Sequence, residues 1–269
     1  MRLVADIKEI KEIITALKEQ GDEWYTNYYI SDDVAEDWIK KNKIRIYKGA
    51  KTFFLLREKT NFSLLFYFSV DIEAFSSSIQ SLLDSTDETL SVDVLHKNNT
   101  AKTIVETFLN GGFSKRIRLY RMRLGKHAPI KGKMPELCYA DNTDVDSIYT
   151  MLHSEFDELC EQIPDGDEIE KAVRKRQIIV IKENANLVSF IWIERKGKTV
   201  VWRYWLTNPL YRSVSMAGII LLRQVLAMNE DADQTLLWVR EDNQKVIAAH
   251  EKTGFVKDGL VDDVLCLIR

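Results

Sequence analysis

Cysteine and proline are scarce in this chain, which has three cysteines and four prolines among 269 residues. The cysteines, Cys138, Cys160 and Cys266, are odd in number and far apart, which excludes a disulfide framework and the paired spacing of a metal site. We therefore expect no metal and a reduced, cytoplasmic setting. Cys160 is interpreted as an idle thiol, because the sequence shows no histidine paired with it.

Long apolar runs and an excess of positive charge are also missing. No stretch of about 18 apolar residues is present, so the sequence predicts no membrane span. Residues 1–20 repeat isoleucine and leucine at helical spacing between charged residues, which is typical of an amphipathic helix and not of a targeting segment. The net charge of -3 argues against a nucleic-acid partner. The oligomeric state is left open.

What the chain does contain is one order of elements used twice. In each half the pattern predicts two helices, three consecutive strands, a helix, a strand, a helix ending in Gly-Phe and a final strand. The first helix of the second half is predicted over 144–160. The repeated ends are Gly112-Phe113 and Gly254-Phe255. The glycines suit a left-handed helix end, and the phenylalanines are expected to pack back on the sheet.

The division between the halves is marked by composition. The segment before the second half is rich in lysine, glycine and proline, which predicts a linker at 126–134. The predicted domains are residues 1–125 and 135–269, and a chain of 269 residues is long enough for two domains of about 130 each. Their final strands are predicted over 117–124 and 264–268.

The segment after the strand 199–206 has the pattern of a phosphate-binding turn. The strand runs into a turn at Pro209, and a polar loop from Arg212 opens an apolar helix. The first N–H groups of a helix have no partner within the helix and lie at the positive end of its dipole, so they attract pyrophosphate. A further helix begins at Asn243, after the next strand. Together these elements can hold a phosphorylated cofactor.

These residues resemble a signature of the GNAT superfamily, which comprises acetyl-CoA-dependent N-acetyltransferases. In that family a loop of the pattern Arg/Gln-x-x-Gly-x-Gly/Ala cradles the pyrophosphate of acetyl-CoA. The chain matches this loop at Arg212 and Ala217 and has Ser215 at the first glycine. Asn243 and a Glu-Lys-Thr-Gly-Phe run match a second family pattern, Asn…Tyr-Glu-Lys-x-Gly-Phe, with His250 at the tyrosine. The resemblance covers the second half, with a weaker echo in the first.

The resemblance implies an α/β (α+β) fold of two GNAT-like domains, each with a mixed, mostly antiparallel sheet flanked by helices. It implies that acetyl-CoA is the co-substrate and that a small-molecule or α-amine acceptor attacks the thioester directly. His250 is implied as the acid for the departing thiolate, and a backbone N–H near Leu206 as the donor to the carbonyl oxygen. The implied cofactor-binding residues are Trp205, Leu206, Thr207, Arg212, Ser213, Val214, Ser215, Met216, Ala217 and Asn243.

A base for the amine is not evident on the strand 199–206, whose only charged residue is Arg203. That arginine is expected to have a carboxylate partner or an anionic ligand. Glu194, Glu241 and Asp242 could act through water, but each also fits a solvated surface carboxylate. Without a base, an α-amine is the favoured acceptor, because roughly 10% or more of it is neutral at pH 7, against about 0.04% of an alkylamine.

The first half is expected to have no acetyl-CoA site. Residues 71–78, which follow its third strand, contain neither arginine nor glycine, and Asp71 and Glu73 would repel pyrophosphate. Phe108 stands where His250 stands in the second half, and it cannot give a proton. These losses, together with the serine in the loop, leave a second interpretation open. The chain could be a catalytically inactive tandem GNAT-like module that binds a ligand or a protein.

Overall fold

The computed structural model describes residues 1–97, 101–130, 132, 135–212 and 216–269. The chain divides into two units, the first formed by Met1–Leu119 with Leu260–Arg269 and the second by Tyr120–Gly259. No helix of the described ranges is both long and apolar enough to cross a membrane. Within the same ranges, no group of three or more His, Cys, Asp or Glu residues is placed to hold a metal ion.

The first unit follows the predicted order of elements. They are β1 (Arg2–Leu3), α1 (Ile7–Lys18), β2 (Tyr25–Thr26), α2 (Asp32–Lys40), β3 (Ile44–Gly49), β4 (Thr52–Glu58), β5 (Ser63–Ser69), α3 (Ile72–Leu83), β6 (Leu90–Lys97) and α4 (Lys102–Asn110). Strands β3, β4 and β5 are antiparallel, and β6 runs parallel to β5. Aromatic side chains from the sheet and from α3 and α4, such as Phe54, Phe75 and Phe108, form the core.

The second unit repeats this order. After β7 (Ser114–Gly125) come β8 (Cys138–Tyr139), α5 (Val145–Glu155), α6 (Gly166–Arg174), β9 (Ile178–Glu183), β10 (Asn186–Lys196), β11 (Thr199–Thr207), α7 (Ala217–Met228), β12 (Gln234–Arg240), α8 (Gln244–Lys252) and β13 (Val256–Leu267). Strands β9, β10 and β11 are antiparallel, and β12 is parallel to β11. The predicted fold class, a mixed and mostly antiparallel sheet flanked by helices in each half, is confirmed.

Helix α5 is shorter than predicted. It ends at Glu155, because Phe156 adopts extended backbone angles (φ -114°, ψ 151°) and cannot continue the helix. Helix α6 then begins at an Asp165–Glu168 capping box, in which each side chain accepts from the backbone N–H of the other residue. Residues 156–165 therefore form a loop, the first half of which the sequence had assigned to the helix.

The two helix ends predicted from Gly-Phe are confirmed. Gly112 has φ +92° and Gly254 has φ +94°, the left-handed conformation that glycine adopts without a steric penalty. Phe113 and Phe255 follow them and are 4% and 1% exposed. Each phenylalanine thus packs into the core of its unit.

Two long strands contribute to both units. Strand β7 begins in the first unit and ends in the second, and β13 begins in the second and ends in the first. Residues Leu260–Leu267 of β13 pair antiparallel with β6. The change of unit thus falls inside these strands and not in the predicted linker 126–134, and the end of the predicted domain 135–269 packs in the first unit. The pattern of a strand shows that it is a strand, but it does not specify its neighbours.

Buried carboxylates accompany this pairing in the first unit. Asp263 on β13 accepts from Arg118 Nε at 2.6 Å and from Lys115 Nζ at 2.8 Å. Burial alone would raise the pKa of Asp263, but these cations hold it well below its ordinary value. For the adjacent Asp262, burial first and then the nearby Asp93 raise the pKa well above the ordinary value.

Candidate functional site

An irregularity of β11 lies where the site was predicted. Trp192 of β10 pairs with Tyr204, and its neighbour Ile193 pairs with Trp202, so Arg203 is an extra residue in β11. Such a bulge reverses the alternation of side chains along the strand. Trp202 accordingly packs on the face covered by α7 and α8, and Tyr204 packs on the face covered by α5 and α6.

Strands β11 and β12 pair over a short stretch and then separate. Their parallel register ends at the pair of Trp202 and Leu237. The predicted strand end, residues 205–207, lies beyond this pair. A gap between the two strands therefore opens at the position that the sequence indicated.

The start of α7 lies against the end of β11. A Cβ atom added to Gly218 would lie 3.2 Å from Thr207 Oγ1 and 3.6 Å from Trp205 Cζ2. The N-cap residue of α7 is Met216, which is 65% exposed and whose side chain forms no capping hydrogen bond. The positive end of the helix dipole thus lies beside the gap, with a methionine and not a carboxylate at the N-cap position.

The predicted phosphate loop is described only in part. Three of its residues lie outside the described ranges: Ser213, Val214 and Ser215. The guanidinium of Arg212 donates to the Thr207 carbonyl oxygen at 2.9 Å and to the Glu155 carboxylate at 2.6 Å. Arg212 therefore ties the loop to the ends of β11 and α5. Ala217 is the first residue of α7 and is buried.

The start of α8 carries another predicted residue. The side-chain oxygen of Asn243 accepts from the Val246 N–H at 3.3 Å, so Asn243 is the N-cap of α8. Four large apolar side chains near the starts of α7 and α8 are exposed. Leu210 and Met216 precede α7, Ile219 lies in its first turn, and Val246 lies in the first turn of α8. Exposed apolar groups beside a helix start that has a methionine as its N-cap suit a ligand with both an anionic and an apolar part.

His250 lies in an aromatic environment on the α8 side of β11. Its ring centroid is 5.6 Å from that of Trp205, 6.3 Å from that of Trp202 and 5.3 Å from that of Phe255. Burial lowers its pKa to about 4. At pH 7 the imidazole is therefore neutral. It can donate an N–H hydrogen bond, but it is not the protonated acid that the sequence suggested.

The three carboxylates considered as bases all have other partners. Glu194 lies 3.2 Å from the guanidinium of Arg203, which is the carboxylate partner expected for that arginine. Asp242 accepts two hydrogen bonds from Arg240, which hold its pKa below the ordinary value. Glu241 accepts a long hydrogen bond of 3.5 Å from a tyrosine hydroxyl of β7.

A fourth carboxylate, Glu161, was missed by sequence reasoning. It lies in the loop between α5 and α6, where its carboxylate accepts from the Asp157 N–H at 2.9 Å and lies 3.6 Å from Arg240. The Tyr204 hydroxyl donates to its carbonyl oxygen at 3.1 Å. No local pattern distinguishes Glu161 from the other acidic residues of this segment.

The first unit lacks the geometry of this site. Strands β4 and β5 pair continuously from Thr52 to Glu58, without a register shift along these described residues. At the start of α3, the Asp71 carboxylate accepts from the N–H groups of Glu73 at 3.1 Å and Ala74 at 2.9 Å. A carboxylate thus already occupies the helix start where an anion would bind.

The gap between β5 and β6 is bridged by one side chain. Pairing of these strands ends at Leu64, and beyond it the Asn27 amide nitrogen donates to the carbonyl oxygens of Leu65 at 3.0 Å and Asp93 at 2.9 Å. The Asn27 oxygen accepts from the Tyr67 N–H at 2.9 Å. Backbone groups that a ligand could use are therefore engaged within the protein.

Solved GNAT N-acetyltransferases are among the structures that have a similar fold. A tandem GNAT protein from the clavulanic acid biosynthesis pathway, determined without acetyl-CoA, superposes with a TM-score of 0.59 and 11% identity, covering 98% of this chain and 96% of that one. A GCN5-related N-acetyltransferase from Sphaerobacter thermophilus gives a TM-score of 0.57 and 10% identity, covering 80% and 76%. A GNAT-family acetyltransferase from Colwellia psychrerythraea gives 0.55 and 8%, covering 100% and 99%.

No protein-family model and no curated protein sequence matches the chain. The similarity is therefore one of fold, since the identities are between 8% and 11% for these three structures. The chain has the fold of the GNAT N-acetyltransferases, in the tandem form that the sequence predicted.

Proposed function

We propose that the chain is an acetyl-CoA-dependent N-acetyltransferase whose site lies in the second unit. The observation that carries the proposal is the start of α7, which lies against the end of β11 just past the Arg203 bulge and the last pair with β12. A helix start of this kind suits a pyrophosphate. A backbone N–H of residues 205–207 suits the thioester carbonyl oxygen, on which negative charge develops.

The cofactor-binding residues of this proposal are those that the resemblance implied. Arg212 and Asn243 fix the loop and the start of α8, and Met216 stands at the start of α7. The full proposed set is Trp205, Leu206, Thr207, Arg212, Ser213, Val214, Ser215, Met216, Ala217 and Asn243.

His250 is the proposed catalytic residue, in the neutral form. A neutral imidazole donates a hydrogen bond to the departing thiolate, which is stabilised without full proton transfer. The amine nitrogen forms a bond to the carbonyl carbon, and the carbon–sulphur bond then breaks. The acceptor is proposed to be a small-molecule amine or an α-amine, and a reduced, cytoplasmic setting is supported by cysteines that form no disulfide among the described residues.

The first unit is proposed to have no acetyl-CoA site. The Asp71 carboxylate at the start of α3 would repel a pyrophosphate, and the Asn27 amide occupies the backbone groups between β5 and β6. The continuous pairing of β4 with β5 supports the same conclusion.

The proposal is tested by giving α7 the cap that α3 has. In Met216→Asp a carboxylate replaces an exposed side chain at the N-cap, which stabilises the helix but repels pyrophosphate. We expect the wild-type chain to gain about 2.7 kcal/mol of stability at a CoA concentration one hundred times its Kd. The variant should match or exceed the melting temperature of wild type without ligand and lose most of the shift with CoA.

Met216→Asn is the matched control, because asparagine caps a helix as well as aspartate but has no charge. It should retain the shift with CoA. Equal shifts in wild type and Met216→Asp would contradict a pyrophosphate site at α7.

A catalytically inactive module is the second candidate, and the neutral, buried state of His250 favours it, because no imidazolium is present to protonate the thiolate. Release of free thiol from acetyl-CoA in the presence of an amine panel separates the two candidates. A shift with CoA but no thiol release with any amine would favour the inactive module.

A further inference from the structure

The loop before the second helix reaches the strand gap in both units. Asn27 precedes α2 by five residues, and Glu161 precedes α6 by five residues. In the first unit, Asn27 bridges the separating strands β5 and β6. In the second unit, Glu161 contacts Tyr204 of β11 and lies near Arg240 of β12. The equivalent loop position therefore presents an amide in one gap and a carboxylate in the other.

Glu161 and His250 lie on opposite faces of β11. Tyr204 and Trp205 are consecutive residues past the bulge, so their side chains point to opposite sides of the strand. The Tyr204 hydroxyl donates to the backbone carbonyl oxygens of Glu161 and Gln162, and the Trp205 ring packs against His250. A thioester held in the gap would thus have His250 on the α7–α8 side and Glu161 on the other.

One oxygen of the Glu161 carboxylate is held, and the other is not. Oε2 accepts from the Asp157 N–H at 2.9 Å and lies 3.6 Å from Arg240 Nη1. The guanidinium of Arg240 makes its shorter contacts, 2.9 Å and 3.0 Å, with Asp242. Oε1 forms no hydrogen bond with any residue that the structure describes. The carboxylate is fixed in direction and retains one oxygen for an incoming group.

We infer that Glu161 is the general base that takes a proton from the acceptor amine, an inference that rests on the proposed acetyltransferase function. The acceptor would approach from the α5–α6 face of the gap, opposite His250. The amine adds to one face of the trigonal carbonyl carbon, whose plane contains the sulphur, so the base and the group that faces the thiolate occupy different positions around that carbon.

The proposed reaction conserves protons and electron pairs. The ammonium form of the acceptor gives one proton to the Glu161 carboxylate, and the nitrogen lone pair forms the bond to the carbonyl carbon. The carbon–sulphur bond then breaks, its electron pair leaves with sulphur, and the second nitrogen proton reaches the thiolate. Glu161 finally releases its proton to solvent, so one ammonium ion and one thioester become one amide, one thiol and one proton.

The charged groups around Glu161 are compatible with a base. Burial raises its pKa above the ordinary value, and the Asp157 N–H and Arg240 act in the opposite direction. Asp157 and Asp242 add repulsion between negative charges, which raises the pKa further. From β11 the titratable neighbour is Tyr204, which is bound through its hydroxyl. A carboxylate with a raised pKa is a stronger base than an ordinary surface carboxylate.

A base at Glu161 widens the class of acceptor amines. The preference for an amine of low pKa depended on the lack of a base in the strand 199–206. With Glu161 beside the gap, alkylamines that are protonated at neutral pH also become acceptors. The segment 155–170 contains eight acidic residues and no lysine or arginine, which favours a positively charged acceptor over an anionic one.

The test compares two small primary amines of similar size in the full-length chain. Propylamine is almost fully protonated at pH 7, whereas aminoacetonitrile is largely neutral because its cyano group withdraws electrons. For Glu161→Gln we expect kcat/KM to fall about 100-fold or more with propylamine and less than about threefold with aminoacetonitrile. The KM for acetyl-CoA and the thermal shift with CoA should stay unchanged. Glu170→Gln, at an exposed carboxylate paired with Arg174, is the matched control and should behave as wild type.

A pH profile adds a measurement that a merely structural role would not affect. With propylamine, the Glu161→Gln rate should recover as pH rises and the amine loses its proton to solvent. Equal losses with both amines, or no loss with either, would overturn the base role while leaving acetyl transfer intact. A wild-type chain that releases no thiol with either amine would also overturn the inference. In that case the shift with CoA decides whether the proposed cofactor site fails as well.

Discussion

The imidazole of His250 lies 5.6 Å from the indole of Trp205, with an angle of 55° between the ring planes. Trp205 is the second residue after the Arg203 bulge, and His250 belongs to the last turn of α8. This contact places His250 beside the end of β11 that lies beyond its pairing with β12. The same contact removes the ring from water, which is why its pKa falls to about 4.

The buried imidazole should make the chain less stable in acid. Its pKa is about 4 in the folded state and 6.5 ordinarily, so the unfolded chain binds the proton first as pH falls below 6.5. The stabilisation is therefore complete above pH 6.5 and is lost toward pH 4. We expect wild type to lose about 2 kcal/mol relative to His250→Phe between pH 7 and pH 5. Urea unfolding followed by tryptophan fluorescence measures this difference, and parallel curves for both proteins would contradict it.

Gly218 should control the distance between α7 and β11. In Gly218→Val the added methyl groups would press on Thr207 and Trp205, the nearest side-chain neighbours of an added Cβ. We expect a loss of about 1–3 kcal/mol in stability and roughly tenfold weaker CoA binding. Isothermal titration with CoA measures the Kd. Gly218→Ala adds only the Cβ and favours the helix, so it should lie between wild type and the valine variant. An unchanged Kd in Gly218→Val would exclude this helix start from the site.

Asn27 should be a strong stabiliser of the first unit. In Asn27→Ala the Tyr67 N–H and the carbonyl oxygens of Leu65 and Asp93 lose their side-chain partner. Each buried polar group left without a partner costs about 1–3 kcal/mol, so a total loss of roughly 2–4 kcal/mol is expected. Hydrogen exchange at the Tyr67 amide should become faster, while the Kd for CoA should not change. Full protection of that amide in the variant would show that another group replaces Asn27.

Asp262 should reduce stability at neutral pH. Burial and the carboxylates of Asp93 and Asp263 raise its pKa in the folded state, so its contribution to stability is greatest below the ordinary value of 3.8 and is lost as pH rises. Asp262→Asn removes this effect, because the amide has no charge to bury. We expect the variant to be more stable than wild type by about 1 kcal/mol or more at pH 7 and by much less near pH 4. Thermal unfolding at both pH values measures the difference, and a loss of stability at pH 7 would contradict it.

Much of the fold could be predicted because the signals are local. Apolar periodicity indicated each of the three-strand sets, and the Gly-Phe ends of α4 and α8 were marked by residues that need a left-handed backbone or a core position. The end of α5 was predicted too late, because the loop that follows contains residues that also suit a helix. Phe156 is extended through its packing on Tyr204, with ring centroids 5.5 Å apart, and that contact has no sequence pattern.

The sequence predicted a position for the candidate site, but it did not predict the groups that surround that position. Residues 205–207 were assigned to the site from the order of elements, and the end of the pairing with β12 puts a gap there. Glu161 could not be identified, since its backbone carbonyl oxygen accepts a hydrogen bond from Tyr204, 43 positions further along the chain, and no local pattern signals that contact. The pKa of His250 depends on its burial among three aromatic rings. Trp202 and Trp205 belong to β11, and Phe255 directly precedes β13.

The sequence by itself determined that two copies of one order of elements are present, that each is a mixed sheet with flanking helices, and that the second copy alone has an arginine in the loop after its third strand. Only the tertiary structure decided that β13 pairs with β6, that Arg203 is a bulge and that a glutamate lies beside the gap. The physical reason is the sequence separation of the residues that interact. Element formation follows from neighbours within a few residues, whereas strand partners, register shifts and burial follow from contacts between segments far apart in the chain.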